Sequence, residues 1–194
     1  DPGVVQKIVG LEASPSPTFK GFRLDIQGPL RPDDLLARDL LMIARDSHKM
    51  CRGKFGPSQR AEFIAPEHTW TIKTMDGNLV GYAELSTYNE WVMNSNAGSG
   101  WNLDLICSFR GGGMELFSKI LTRYQKSVDF LTLKPVDDET GAMYMRAATR
   151  LKIPYTKSGP SGLRVMTSFG RRAIIGDDKN LTFWLEENLT PWVE

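Results

Sequence analysis

The run Trp101-Asn102-Leu103-Asp104-Leu105-Ile106-Cys107-Ser108-Phe109-Arg110-Gly111-Gly112-Gly113-Met114-Glu115-Leu116-Phe117 decides the fold. It opens on a short apolar stretch, passes through a basic, triple-glycine turn, and leads straight into a helical pattern. Phe117, Ile120, Leu121 and Tyr124 recur at i, i+3, i+4 and i+7, one apolar helix face over about two turns. Strand, glycine turn and helix in this order bring backbone N–H groups and a positive helix end up to a phosphate. Consecutive glycines let the main chain approach a ligand with no Cβ in the way. The stretch predicts a phosphate-cradling turn for a pyrophosphate-bearing cofactor. A tight strand-to-helix connection without a ligand is the alternative.

At 194 residues the chain fits one domain, or one domain with an appendage, and its 41% apolar content is enough for a real core. A net charge of +1 argues against nucleic-acid binding by bulk electrostatics. No apolar run approaches the roughly 20 residues of a membrane span, and no secretory pattern opens the chain. Cys51 and Cys107 make no disulfide framework and fit a reducing, cytoplasmic compartment. His48 and His68 lie far apart without a cysteine cluster, so no metal is expected. Cys107 reads as a small buried strand-end residue, because a nucleophile would need a histidine close by.

Outward from the central run, residues 1–18 read as an extended arm rich in proline and glycine. Phe22, Leu24 and Ile26 alternate as a strand that Gly28-Pro29 stops. A helix from Pro32 to Arg52-Gly53 follows, with Leu36, Leu40 and Ile43 inward and a run of basic residues on its solvated face. A second, short helix spans 58–64. Residues 70–75 and 79–85 flank Asp76-Gly77 and predict a hairpin. Residues 89–100 read as a loop, 128–133 as a core strand ended by Pro135, and 138–152 as a helix capped by Asp137 or Asp138. Residues 153–157 and 163–169 look like a closing hairpin, and 170–194 like a C-terminal helical tail with an aromatic face (Phe183, Trp184, Trp192).

The resulting order, β-α-α-β-β-β-α-β-α-β-β, contains one β-α-β crossover and so implies a mixed, mostly antiparallel sheet with helices on both faces. Between residues 19 and 169 the sequence resembles the GNAT (general N-acetyltransferase) superfamily. That family's signature is a strand followed by Arg/Gln-x-x-Gly-x-Gly/Ala opening a helix. It stands here as Arg110-Gly111-Gly112-Gly113-Met114-Glu115, with Leu103 and Leu105 at the apolar positions of the strand. Arg110 and Gly113 match; Glu115 stands where the family has a small residue.

The resemblance implies an α/β (α+β) acyltransferase fold and acetyl-coenzyme A as co-substrate, held by Leu103, Leu105 and residues Arg110 to Glu115. It implies a general base, for which Glu84 and Asp104 are candidates, and a tyrosine that returns a proton to the departing thiolate. The family tyrosine aligns with Ala148 or Thr149, so Tyr144, one turn earlier, and Tyr155 are the substitutes. Transfer of acetyl to a primary amine of a small molecule or protein is the first reading. A GNAT-fold subunit that has lost catalysis, engaging a protein partner or a second copy of itself through its termini, is the second. A Rossmann-type dinucleotide enzyme is a poor third reading, because no Gly-x-Gly-x-x-Gly follows the first strand and no matching acidic residue is present.

Overall fold

The computed structural model describes residues 18–19, 22–31, 33, 66–87, 100–109, 112–167, 172–175, 178–185 and 189–191. The expected helices at 32–53 and 58–64, nearly all of the arm, and the 89–100 loop up to Gly100 lie outside them. The chain divides into two compact units, residues 1–84 with 105–116 and residues 85–104 with 117–194.

The first unit holds β1 (Thr18–Phe19), β2 (Phe22–Gln27), β3 (Thr69–Thr74) and most of β4 (Leu79–Thr87), together with the later part of β5 (Gly100–Ser108). These strands are hydrogen-bonded in that order. β2 and β3 run antiparallel with Leu24 opposite Thr74 and Ile26 opposite Ile72. The predicted β3–β4 hairpin forms around Asp76-Gly77, where Gly77 takes φ +89° and donates to the Thr74 carbonyl at 2.9 Å. Leu24, Trp70, Ile72, Leu79, Tyr82 and Ala83 are buried in this unit.

The second unit continues from the start of β5 through β6 (Phe130–Leu133) and β10 (Leu181–Trp184) to β7 (Tyr155–Lys157). β5 and β6 are parallel, from Gly100 opposite Phe130 to Leu103 opposite Leu133. β6–β10 and β10–β7 are antiparallel, so the sheet is mixed, as the crossover required. The crossover is helix α1 (Gly112–Tyr124), whose predicted face, Phe117, Ile120, Leu121 and Tyr124, is buried. Helix α2 (Asp138–Arg150) is capped by Asp137, whose carboxylate accepts from the Thr140 N–H at 2.7 Å. It buries Gly141, Tyr144, Ala147 and Ala148. Phe117 joins the layers: its ring lies 4.7 Å from Tyr144 on α2 and 5.2 Å from Phe183 on β10.

Three expectations are corrected. The tail expected to be helical is extended: β9 (Arg172–Ile175), β10 and β11 (Leu189–Pro191) are strands, and β10 is inserted between β6 and β7. Leu181, Thr182, Phe183 and Trp184 are all buried, and a strand buried on both faces reads as a continuous apolar run that periodicity does not separate from a helix. The closing hairpin does not form. β7 pairs with β10, whereas β8 (Leu163–Thr167) pairs with β9 and β11 in a separate three-stranded sheet. Between β7 and β8 an isolated bridge closes Gly159 on Gly162. The Ser-Gly-Pro-Ser-Gly composition signalled a reversal, and composition does not name the partner of the returning strand. Cys107 is disulfide-bonded rather than a free thiol. The chain's other cysteine, Cys51, lies outside the described residues.

Two stability predictions follow from this packing. A Cβ on Gly100 would lie 2.2 Å from the ring of fully buried Phe130 (0% exposed). Gly100→Ala is expected to lower stability by about 1–3 kcal/mol in urea unfolding, and adding Phe130→Leu should recover part of the loss. Burial, and secondarily the charge of Asp137, push the Tyr144 phenol well above its ordinary 10.0. The folded state therefore holds this proton more tightly than the unfolded chain. Its contribution is complete below pH 10.0, the phenol's ordinary value, and is lost as pH rises beyond it. Tyr144→Phe should show a shallower alkaline decline of the urea midpoint; equal declines would assign the alkaline sensitivity to other groups.

Candidate functional site

β5 carries the chain into the glycine turn. Leu105 and Cys107 are buried on one side of the strand, and the Phe109 N–H donates to the Val80 carbonyl of β4 at 3.1 Å, fixing where the strand ends. Gly112 then donates to the Phe109 carbonyl at 3.0 Å. A Cβ at Gly112 would stand 2.6 Å from the Phe109 ring, so a residue larger than glycine does not fit this approach. The first N–H groups of a helix have no intrahelical acceptor. That of Gly112 is used inside the turn, which leaves Gly113 as the next donor at the positive end of α1. Met114 is buried and anchors the first turn, while Glu115 is half-buried in that turn. A carboxylate there favours the helix and opposes an incoming phosphate by like charge. Arg110 and Gly111 lie outside the described residues. Glu84 is half-buried on β4, opposite Thr69 in the β3–β4 ladder.

In the second unit, Leu103 is buried and Asp104 exposed, the alternation expected of a strand with one face in the core. Hydrogen bonding of β5 to β6 ends at Leu103–Leu133, yet β5 continues to Ser108. Pro135, close behind Leu133, has no N–H to extend the ladder. Asp104 is thus the first residue past the paired stretch. Its Oδ1 accepts from Ser86 Oγ at 2.9 Å and from Asn102 Nδ2 at 2.5 Å. Asn102 Oδ1 in turn accepts from Thr132 Oγ1 at 2.7 Å. Ser86, Asn102 and Thr132 were not among the sequence candidates. The spacing of Asn102 and Asp104 on one strand face was the available signal; Ser86 and Thr132 arrive from other strands and leave none.

Tyr144 sits in the core at 5% exposure against Phe117, with its phenol kept protonated by burial. Tyr155 is 39% exposed and lines an open depression of about 460 Å³ with Ala142, Met145, Arg146, Thr149 and Arg150 of α2. Among the described residues no group of three or more His, Cys, Asp or Glu converges as a metal site, and no helix is long and apolar enough to cross a membrane.

No family model and no curated protein matches the sequence. Solved structures do match. A GNAT-family acetyltransferase from Staphylococcus aureus Mu50 superposes with a TM-score of 0.50 at 14% identity, covering 84% of this chain and 99% of its own. A GNAT-family protein from Desulfovibrio desulfuricans gives the same values, 0.50 at 14% identity over 84% and 99%. The diaminobutyrate acetyltransferase of Paenibacillus lautus, solved with L-2,4-diaminobutyric acid and coenzyme A, gives 0.49 at 13% identity over 85% and 96%. At such identities the likeness is one of fold. The mixed sheet, the crossover helix opened by a glycine turn and the two superpositions at a TM-score of 0.50 agree: the chain has the GNAT fold and is a divergent example of it.

Proposed function

We propose that the protein transfers acetyl from acetyl-coenzyme A to a primary amine. The observation that carries this reading is on β5: the strand leaves its parallel partner after Leu103 and ends in a glycine turn at the positive end of α1. Beyond Leu103 the strand no longer pairs with β6, and a strand edge so released offers amide and carbonyl groups of the kind that bind an extended, amide-bearing chain such as pantetheine. The Gly113 N–H and the helix dipole suit the pyrophosphate. When bound, acetyl-coenzyme A supplies an acetyl group activated as a thioester. Asp104, the exposed carboxylate on the same strand, takes a proton from the acceptor ammonium and frees the nitrogen lone pair. A C–N bond then forms as the C–S bond breaks, and the electron pair leaves on sulfur. The second nitrogen proton ends on that sulfur, and the first passes from Asp104 to solvent. Tyr144 is buried, so Tyr155 or water is the better proton donor to the thiolate. Leu103, Leu105 and the Arg110–Glu115 turn remain the proposed cofactor contacts, and Glu84 the second candidate base.

Glu115 favours the other reading, a GNAT-fold subunit without catalysis, because its charge opposes the cofactor's phosphates. Calorimetric titration with acetyl-coenzyme A separates the two. The unmutated protein is expected to bind, Gly113→Glu to abolish binding, and Glu115→Gln to tighten it roughly two- to fivefold. Absence of binding by the unmutated chain would sink the transferase reading and leave the interaction subunit.

A further inference from the structure

The hydrogen bonds at Asp104 are one-sided. Both donors, Ser86 and Asn102, end on Oδ1. Oδ2 has no hydrogen-bond partner among the described residues, and the side chain is exposed. An ionised carboxylate only accepts, so Asn102 must turn its NH2 toward Asp104 and its carbonyl oxygen away. That oxygen meets the Thr132 hydroxyl at 2.7 Å, and Thr132 is fully buried (0% exposed). A flipped Asn102 would set its oxygen against the carboxylate and lose the bond to Asp104, whereas the Thr132 hydroxyl, which donates or accepts, holds the far end of the amide in place. The rotamer of a surface carboxylate is thus set from inside the sheet. Without these donors the terminal torsion of an aspartate is broad and nearly two-fold, and its oxygens exchange places. With them, Oδ1 is held, and the position of Oδ2 on the exposed carboxylate is set with it.

We propose that Ser86, Asn102 and Thr132 are positioning residues that hold Asp104 by Oδ1 and leave Oδ2 to receive the N–H of a primary alkylammonium. This deepens the acetyl-transfer reading and rests on it for the acceptor's role. It commits the acceptor to a protonated amine docked by a hydrogen-bonded ion pair, not by bulk negative charge.

Thr182 supplies the control. It stands opposite Thr132 on β10, is equally buried, and its hydroxyl has no hydrogen-bond partner among the described residues. Thr182→Val therefore makes the same change of shape beside the relay without touching it.

The test is a titration of the full chain with n-butylammonium chloride. It is read by NMR on isotope-labelled aspartate carboxylates, with the Asp104 signal assigned from Asp104→Asn. A saturable shift at Asp104 is expected. Asn102→Ala and Thr132→Val should weaken the apparent affinity roughly tenfold, Thr132→Ser should restore it, and Thr182→Val should leave it unchanged. Tetramethylammonium, which has the charge and no N–H, should fail to reproduce the shift. Urea midpoints of the variants separate lost positioning from lost folding. No saturable response at Asp104, or equal affinities with and without Asn102 and Thr132, overturns the proposal. Acetyl-coenzyme A calorimetry on the same samples keeps the two readings apart. Cofactor binding without a response at Asp104 defeats the docking proposal alone, and a response at Asp104 without cofactor binding upholds the positioning while removing acetyl transfer.

Discussion

A parallel pair of strands stays joined only while both can supply ladder groups, and β6 stops early. Its four residues, Phe130 to Leu133, are matched by the first four of β5, and Pro135 then removes the N–H that would continue the ladder. β5 is nine residues long, so its second half runs on without that neighbour. The exposed carboxylate of Asp104 sits at the point of parting, and the glycine turn lies at the strand's end. The proposed chemistry depends on this mismatch in strand length.

The packing that holds the second unit converges on Phe117, the first residue of the α1 apolar face. It is fully buried, touching Tyr144 of α2 and Phe183 of β10. Burying two further aromatic rings on one side chain favours a fixed seating of α1 and α2, since offset ring contacts add to area burial. The same packing withdraws Tyr144 from solvent and leaves Tyr155 as the exposed tyrosine beside α2. Stability and proton transfer therefore make different demands on neighbouring tyrosines, and the core has taken the one that the helical spacing brought inward.

Much of the fold was legible locally. Asp76-Gly77 between alternating runs specified the β3–β4 hairpin. The i, i+3, i+4, i+7 apolar spacing of α1, the Asp137 cap of α2 and the Pro135 stop were each a short-range signal with a short-range cause. The candidate site was legible where it depended on one strand and its turn: Leu103 inward, Asp104 outward, and a glycine turn leading into the helix. It was illegible where it depended on partners. Ser86 and Thr132 reach Asp104 and Asn102 across the sheet, 18 and 30 residues away in the chain. No periodicity records such a meeting.

The sequence by itself determined the elements whose causes lie within a few residues, together with their order and hence the mixed sheet with a crossover helix. Tertiary structure decided what required distant groups to meet. Leu181-Thr182-Phe183-Trp184 became an interior strand because β6 and β7 each left an edge for it, where an isolated apolar run suits a helix as well. Cys107 is disulfide-bonded, a state that no local pattern around it records. Asp104 acquired one held oxygen and one open one because a buried threonine on the adjacent strand fixed the asparagine beside it.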